Sequence, residues 1–212
     1  MFDEMKKTVL WHAKQAYKEK LFAGTSGNLS VYDREADVMA ITPSSLHYGL
    51  MQEEDIVIMR LDGTIVEGSR KPSSEWQMHQ VIYQNKPEVR AVVHTHSPYA
   101  TSFAVNHKEI PVILVEMMLF LGGSVRVADF AINGTKEVGD AVVKALYNRK
   151  ACTMANHGAV AVGESLEKAY LSAIYLEDVA KIYCLTPDKS AIHVIPEDIV
   201  DKMREKYHLP KD

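Results

Sequence analysis

Cysteine is scarce in this chain of 212 residues: only Cys152 and Cys184 occur. Both sit in apolar stretches, in no C-x-x-C arrangement. A disulfide framework is thereby excluded, and two buried free thiols are expected. Runs of Lys or Arg are also missing, and the formal net charge is −4 with a pI near 6.1. Nucleic acid and anionic membrane surfaces therefore have no electrostatic support as partners. A small anion is a different matter, because a local site binds phosphate even in an acidic protein. No hydrophobic run is long enough to span a bilayer; the most apolar one, residues 110–123, is interrupted by Glu116. The first residues, Met-Phe-Asp-Glu-Met-Lys-Lys, mix charges and lack the apolar core of a signal peptide. A cytoplasmic protein is expected. No internal repeat, low-complexity tract or Pro/Gly/Ser linker divides the chain, so a single domain over 1–212 is the simplest organisation.

What is present is an ordinary globular composition, 47% hydrophobic and 25% charged. Residues 3–22 place Met5, Val9, Ala13, Ala16, Tyr17 and Leu21 at helical spacing, stopped by Gly24. Short β-like runs follow around 29–32, 38–41 and 56–60. Asp62-Gly63 then predicts a hairpin turn into 64–66. Pro72-Ser73-Ser74 opens a helix to about 84, with Ser as the cap and Glu75 in the first turn, where the helix dipole favours negative charge. The stretch 89–94 reads as a strand. Thr135 caps a helix bearing Val138, Val142 and Leu146 on one face. Residues 151–155 and 159–162 form a strand pair turning at Asn156-His157-Gly158. Helices are expected over 165–184 and 196–206, the last opened by Pro196. Interspersed strands and helices predict an α/β fold with helices on both faces of a central sheet. Hairpins beside crossovers make that sheet mixed.

The segment Val93-His94-Thr95-His96-Ser97 carries the most chemical information. On a strand, residues two apart project from one face, so His94 and His96 can present two imidazoles to one point. Such a pair alone is weak, since two histidines on a strand face are often plain polar residues. His157 adds a third imidazole from a Gly-flanked turn. Glu75 adds a carboxylate at a helix start, although a surface carboxylate complementing the dipole would look the same. Three imidazoles with one carboxylate or water suit a four-coordinate divalent ion, zinc first. The other six histidines (His12, His47, His79, His107, His193 and His208) lack this spacing and are read as surface or helix residues, with His79 set apart because it follows Glu75 by one helical turn.

Three segments are rich in Gly, Ser and Thr: Gly24-Thr25-Ser26-Gly27-Asn28-Leu29-Ser30, Thr42-Pro43-Ser44-Ser45 and Pro72-Ser73-Ser74. Each offers hydroxyls and backbone N–H groups with little bulk, as an anion nest requires. Each alone also reads as a turn. No Lys follows the glycines, which excludes a P-loop. Ser73-Ser74 adjoins Glu75 directly, which would place phosphate donors beside the metal residues.

In order and approximate spacing, these segments together with His94-Thr95-His96 and Asn156-His157-Gly158 resemble the class II aldolase/adducin family. The resemblance covers nearly the whole chain and is strongest to the branch that cleaves L-fuculose 1-phosphate. It implies a three-layer α/β/α domain around a mixed sheet, assembled as a homotetramer with interfacial active sites and a mobile C-terminal tail from about residue 205. It implies one Zn2+ per subunit held by His94, His96 and His157, with Glu75 as a displaceable fourth ligand and proton carrier. Gly27, Asn28, Ser44, Ser45, Ser73 and Ser74 match phosphate-binding positions. Tyr207 matches a catalytic tyrosine in the tail. The implied reaction cleaves a ketose 1-phosphate to dihydroxyacetone phosphate and L-lactaldehyde, as in fucose catabolism.

The sequence departs from that branch at two places. Ser44-Ser45 stands where Thr-Gly is usual. The interfacial Tyr expected shortly after Ile110-Pro111 is absent, and Leu114-Val115-Glu116-Met117 occupies the stretch, leaving Glu116 or water for its role. That absence keeps an aldolase for 5-deoxypentulose phosphates and a methylthioribulose-phosphate dehydratase in view. An L-ribulose-5-phosphate 4-epimerase typically has Asp in place of Glu75. An adducin-like binding module would have lost the metal ligands, all of which are present here.

Overall fold

The computed structural model of the protein describes residues 2–210. Helix α1 (Asp3–Lys18) buries Val9, Ala13 and Ala16 along one side. It stops short of the expected residue 22 because Lys20 turns left-handed at φ 63° and the Leu21 N–H returns to the Ala16 carbonyl at 2.9 Å. Strands β1 (Asn28–Asp33), β2 (Val38–Ile41), β3 (Val57–Met59) and β4 (Ile65–Glu67) follow as a meander. The Asp62-Gly63 turn closes as expected, with the Arg60 N–H on the Thr64 carbonyl at 2.8 Å. Next come α2 (Trp76–Asn85), β5 (Ala91–Thr95), α3 (Pro98–Asn106), α4 (Glu116–Leu121) and β6 (Arg126–Ala128). The chain continues through α5 (Lys136–Ala145), β7 (Ala151–Met154), β8 (Gly158–Gly163), α6 (Leu166–Leu185) and α7 (Glu197–Lys206). Sequence periodicity did not disclose α3, α4 or β6.

All eight strands join one sheet in the order β4-β3-β2-β1-β5-β8-β7-β6. Every neighbouring pair is antiparallel except β6 and β7, which run parallel, so the sheet is mixed. Alternate residues of the central strands feed two separate cores. Leu29, Val93 and Ala161 face a core shared with α1, α3, α4 and α6. Met39, Val92 and Val160 face a second core built with Met78 and Ile82 of α2 and Val138 and Val142 of α5. Helices thus cover both faces, and the three-layer α/β/α arrangement is the one expected. A sheet buried on both faces needs apolar residues at nearly every strand position, which is why β5 and β8 read as continuous apolar runs.

Some local readings change. Helix α2 begins at Trp76, and Glu75 occupies the capping position at φ −102°, ψ 14° rather than the first turn. Its carboxylate does not serve the helix dipole but turns toward the histidines. Thr135 does sit at the head of α5, yet its hydroxyl donates to the Ile132 carbonyl at 2.8 Å instead of accepting from the helix. Cys152 is buried as expected, but Cys184 is exposed near the end of α6, on the helix side turned from the core. Among the described residues, no helix is long and apolar enough to cross a membrane.

Helices α2 and α5 pack so closely that Gly139 has no room for a side chain. A Cβ there would lie 2.5 Å from the Val81 Cβ. Gly139→Ala gains about 1 kcal/mol of helix propensity, but overpacking costs about 1–3 kcal/mol. The net expectation is a less stable protein. A thermal midpoint equal to or above that of the wild type would show that the two helices can move apart.

Candidate active site and metal centre

The site forms at one end of the three central strands. Register sets it: His94 on β5 lies directly opposite Asn28 on β1 and Val160 on β8. His96 lies just beyond the end of β5. His157 comes from the tight turn between β7 and β8, where Asn156 takes a left-handed φ of 54° and the His157 N–H returns to the Met154 carbonyl at 3.0 Å. Gly158 lets that turn press against β5, since a Cβ there would fall 2.3 Å from the Thr95 carbonyl oxygen. Glu75 enters from the head of α2.

The four side chains converge, with one ligand atom from each lying within 4.8 Å of all the others. His94 Nε2 is 3.0 Å from Glu75 Oε2, and His157 Nε2 is 3.1 Å from Glu75 Oε1. His94 Nε2 and His96 Nε2 face each other at 3.0 Å. Burial pushes the Glu75 carboxyl upward, but the His94 and His157 rings beside it outweigh this and hold it far below the usual carboxylate range. Burial pulls His94 down, and the Glu75 carboxylate more than offsets it, leaving that ring above its ordinary value. His96 is pushed down to about 4 by burial and by the neighbouring imidazoles.

Whether this cluster suits a metal ion can be decided from its own hydrogen bonds. His94 Nδ1 lies 2.9 Å from the Ala159 carbonyl oxygen, which can only accept, so Nδ1 carries a proton. In the neutral ring Nε2 then presents a lone pair to both a carboxylate oxygen and the His96 ring nitrogen. Lone pairs directed at one another are relieved by a proton or a metal cation between them. Glu75 Oε1 is buried and has no hydrogen-bond partner of adequate geometry. Backbone-oriented imidazole, clustered lone pairs and an orphaned carboxylate oxygen together fit a divalent cation.

The three hydroxyl-rich segments meet beside this cluster around a cavity of about 160 Å³. Gly27, Asn28, Ser44, Ser45, Ser73 and Ser74 all line it, as do Glu75, His96 and His157. Backbone bonds strap the segments together. The Ser73 N–H donates to the Thr42 carbonyl at 3.0 Å, and the Ser44 N–H donates to the Lys71 carbonyl at 3.0 Å. The Tyr48 hydroxyl donates to the Gly27 carbonyl at 2.6 Å, anchoring the first segment. Tyr207 is not brought in; it is half-buried against the core on the α1/α6 face and lies outside the cavity lining. Glu116 is exposed at the start of α4 and is likewise outside the lining.

Sequence reasoning missed three contributors. Asn133, just before α5, lines the cavity, and in the sequence it looks only like half of an Asn-Gly turn. Tyr48 gave no signal. His79, set apart in the sequence by following Glu75 by one helical turn but given no role there, is fully buried behind Glu75. A larger cavity of about 420 Å³ lies at the opposite end of β5 and β8, bordered by Val89 and Gly163, away from the cluster of His94, His96, His157 and Glu75.

Comparison with known proteins agrees with this geometry. Residues 7–184 match the family described as Class II Aldolase and Adducin N-terminal domain. The chain is 35% identical over 207 residues to 5-deoxy-D-ribulose 1-phosphate aldolase of Bacillus thuringiensis, covering 98% of this chain and 97% of that one. It is 39% identical over 163 residues to L-fuculose phosphate aldolase of Escherichia coli, covering 77% and 74% respectively. A solved structure of an L-fuculose 1-phosphate aldolase superposes with a TM-score of 0.91 at 39% identity, covering 97% of both chains. With the family matched over most of its length, the chain belongs to the class II aldolase and adducin family and is a class II aldolase.

Proposed function

We propose that this protein is a zinc-dependent aldolase that reversibly cleaves a terminally deoxygenated ketose 1-phosphate into dihydroxyacetone phosphate and a small methyl-ended aldehyde. The observation that carries this reading is the hydroxyl-lined cavity opening directly onto Glu75, His96 and His157. Three imidazoles with a carboxylate suit zinc in a catalytic site, because structural zinc sites are usually closed and cysteine-rich.

His94, His96 and His157 would hold the ion, with Glu75 as the displaceable fourth ligand. The ion supplies Lewis-acid polarisation of the ketose carbonyl. The chain's own residues do the rest. Ser44, Ser45, Ser73, Ser74 and the Gly27-Asn28 backbone hold the phosphate, turning remote binding into orientation at the reacting carbons. In cleavage, the C4 hydroxyl loses its proton, the C3–C4 bond breaks, and its electron pair passes to the three-carbon fragment. C4 leaves as an aldehyde. Glu75 delivers a proton to C3, and in condensation it removes one.

Two substrates have specific support. Similarity over almost the full chain favours 5-deoxyribulose 1-phosphate, whose aldehyde half would be acetaldehyde. The fold match and higher local identity favour L-fuculose 1-phosphate, which would yield L-lactaldehyde. Both share the phosphorylated three-carbon half, the part that the cavity would recognise. The missing tyrosine after Ile110-Pro111 bears only on the aldehyde half. We further propose a homotetramer in which the tail from about residue 205 brings Tyr207 to a neighbouring subunit's site.

Release of dihydroxyacetone phosphate from each substrate, followed through a coupled reductase, tests the reading. Turnover of either one by zinc-loaded protein, abolished by chelation and restored by zinc, is expected. Failure on both with zinc bound would move the substrate outside this class. Metal analysis should find one zinc per chain, and none would remove the metal assignment. Glu75→Gln is expected to retain much of the zinc yet lose about 100-fold or more in turnover; a near-normal rate would dismiss Glu75 as proton carrier. Ending the chain at Lys206 is expected to lower turnover more than thermal stability, whereas an unchanged rate would make Tyr207 structural only.

A further inference from the structure

Behind Glu75 runs a line of buried polar side chains. Asn28 Nδ2 donates to Glu75 Oε2 at 2.9 Å. Asn28 Oδ1 lies 2.6 Å from His79 Nε2, and His79 Nδ1 lies 2.7 Å from Ser30 Oγ. Ser30 Oγ is in turn 2.7 Å from the Tyr83 hydroxyl. Asn28, Ser30, His79 and Tyr83 are all at most 3% exposed, so water does not complete their bonding.

The direction of every proton follows from one end. An ionised carboxylate only accepts, so the Asn28 amide nitrogen must face it and Oδ1 must face His79. An amide oxygen also only accepts, so His79 Nε2 carries the proton. Burial, reinforced by the nearby His94, pushes His79 down to about 3, and the ring is neutral. Its Nδ1 is therefore a lone pair, which Ser30 Oγ–H must fill. Tyr83 then donates to Ser30, through Oγ at 2.7 Å or the carbonyl at 3.1 Å. Each O–H or N–H points toward Glu75. Donors aligned head to tail polarise one another, more strongly where the surroundings are dry.

We propose that His79 is a positioning residue for the metal centre: through Ser30 and Asn28 it fixes a one-way donor chain that holds the Glu75 carboxylate in ligating geometry. The chain reaches past the ligands to α2, the helix that carries Glu75 itself, and ties that helix to β1. An apolar group of similar volume would fill the His79 site but leave Asn28 Oδ1 and Ser30 Oγ short of a partner, so a loss of stability alone would not establish the role and the test must read the metal. The inference rests on the metal-centre reading above.

The test compares His79→Met with His79→Gln. Methionine fills the volume without a donor, whereas glutamine keeps an N–H near the Nε2 position. Zinc affinity, measured by competition with a chromogenic chelator, needs no turnover. We expect His79→Met to bind zinc about tenfold more weakly, with a parallel fall in kcat, and His79→Gln to recover most of both. Wild-type zinc affinity in a folded His79→Met protein would overturn the proposal, as would a Gln variant no better than the Met one. If His79→Met does not fold, Ser30→Ala decides, with a loss of about threefold expected and unchanged affinity counting against the chain. A wild-type protein that binds no zinc would overturn the metal reading itself, which distinguishes that failure from failure of the chain alone.

Discussion

A buried carboxylate is the constraint around which this end of the fold is arranged. Removing an ionised group from water costs several kcal/mol unless charge and hydrogen bonds replace the lost hydration. Glu75 is 6% exposed, and what replaces water is drawn from three separate places in the chain. His94 and Asn28 come from adjacent strands and His157 from the turn between β7 and β8, while Glu75 itself stands at the head of a helix. The sheet register is therefore functional as well as structural. Slipping β1 against β5 by one residue would turn Asn28 to the opposite face and leave one carboxylate oxygen without its donor.

Support for the histidines is of the same kind. The Ala159 carbonyl fixes the proton of His94 on Nδ1 and leaves Nε2 for the cluster. That carbonyl belongs to β8, whose close approach depends on the missing side chain at Gly158. Rigid strands thus hold the ligand atoms, while loops hold the cavity. The loops gain order from backbone bonds between 42–44 and 71–73 and from Tyr48. Sites placed on regular elements keep their geometry better than sites on free loops, and here the loops are tied to one another beside the regular elements.

Much of this was legible in the sequence because the relevant signals are local. His94 and His96 share a strand face by simple alternation, and hydroxyl-rich segments announce themselves by composition. Strands buried on both faces show as apolar runs. What stayed hidden was set by distant partners. The first turn of α3 is satisfied by Glu177 of α6, whose carboxylate accepts from the Tyr99 and Ala100 N–H groups at 3.0 and 2.8 Å; Ser97-Pro98 marks the helix start in the sequence, but the Ser97 side chain makes no capping bond. Parallel β6 is only three residues long and half-buried. The importance of His79 depends on a helix and a strand meeting across 49 to 51 residues of sequence. Glu75 was recognised as a site residue but placed in the first helical turn, since a carboxylate at a helix head satisfies the dipole and the metal cluster equally well on paper.

Among the described residues, no lysine or arginine lines the cavity beside the cluster. Hydroxyls and backbone N–H groups orient a phosphate but bring no full positive charge to it. A dianion placed beside the Glu75 carboxylate would meet a like charge across a few ångströms in surroundings that screen it poorly. On the proposed reading, the divalent ion brings the full positive charge that this lining lacks, so phosphate binding and metal binding form one electrostatic unit. The serines choose where the phosphate sits, and the cluster of His94, His96, His157 and Glu75 determines whether an anion is tolerated there at all.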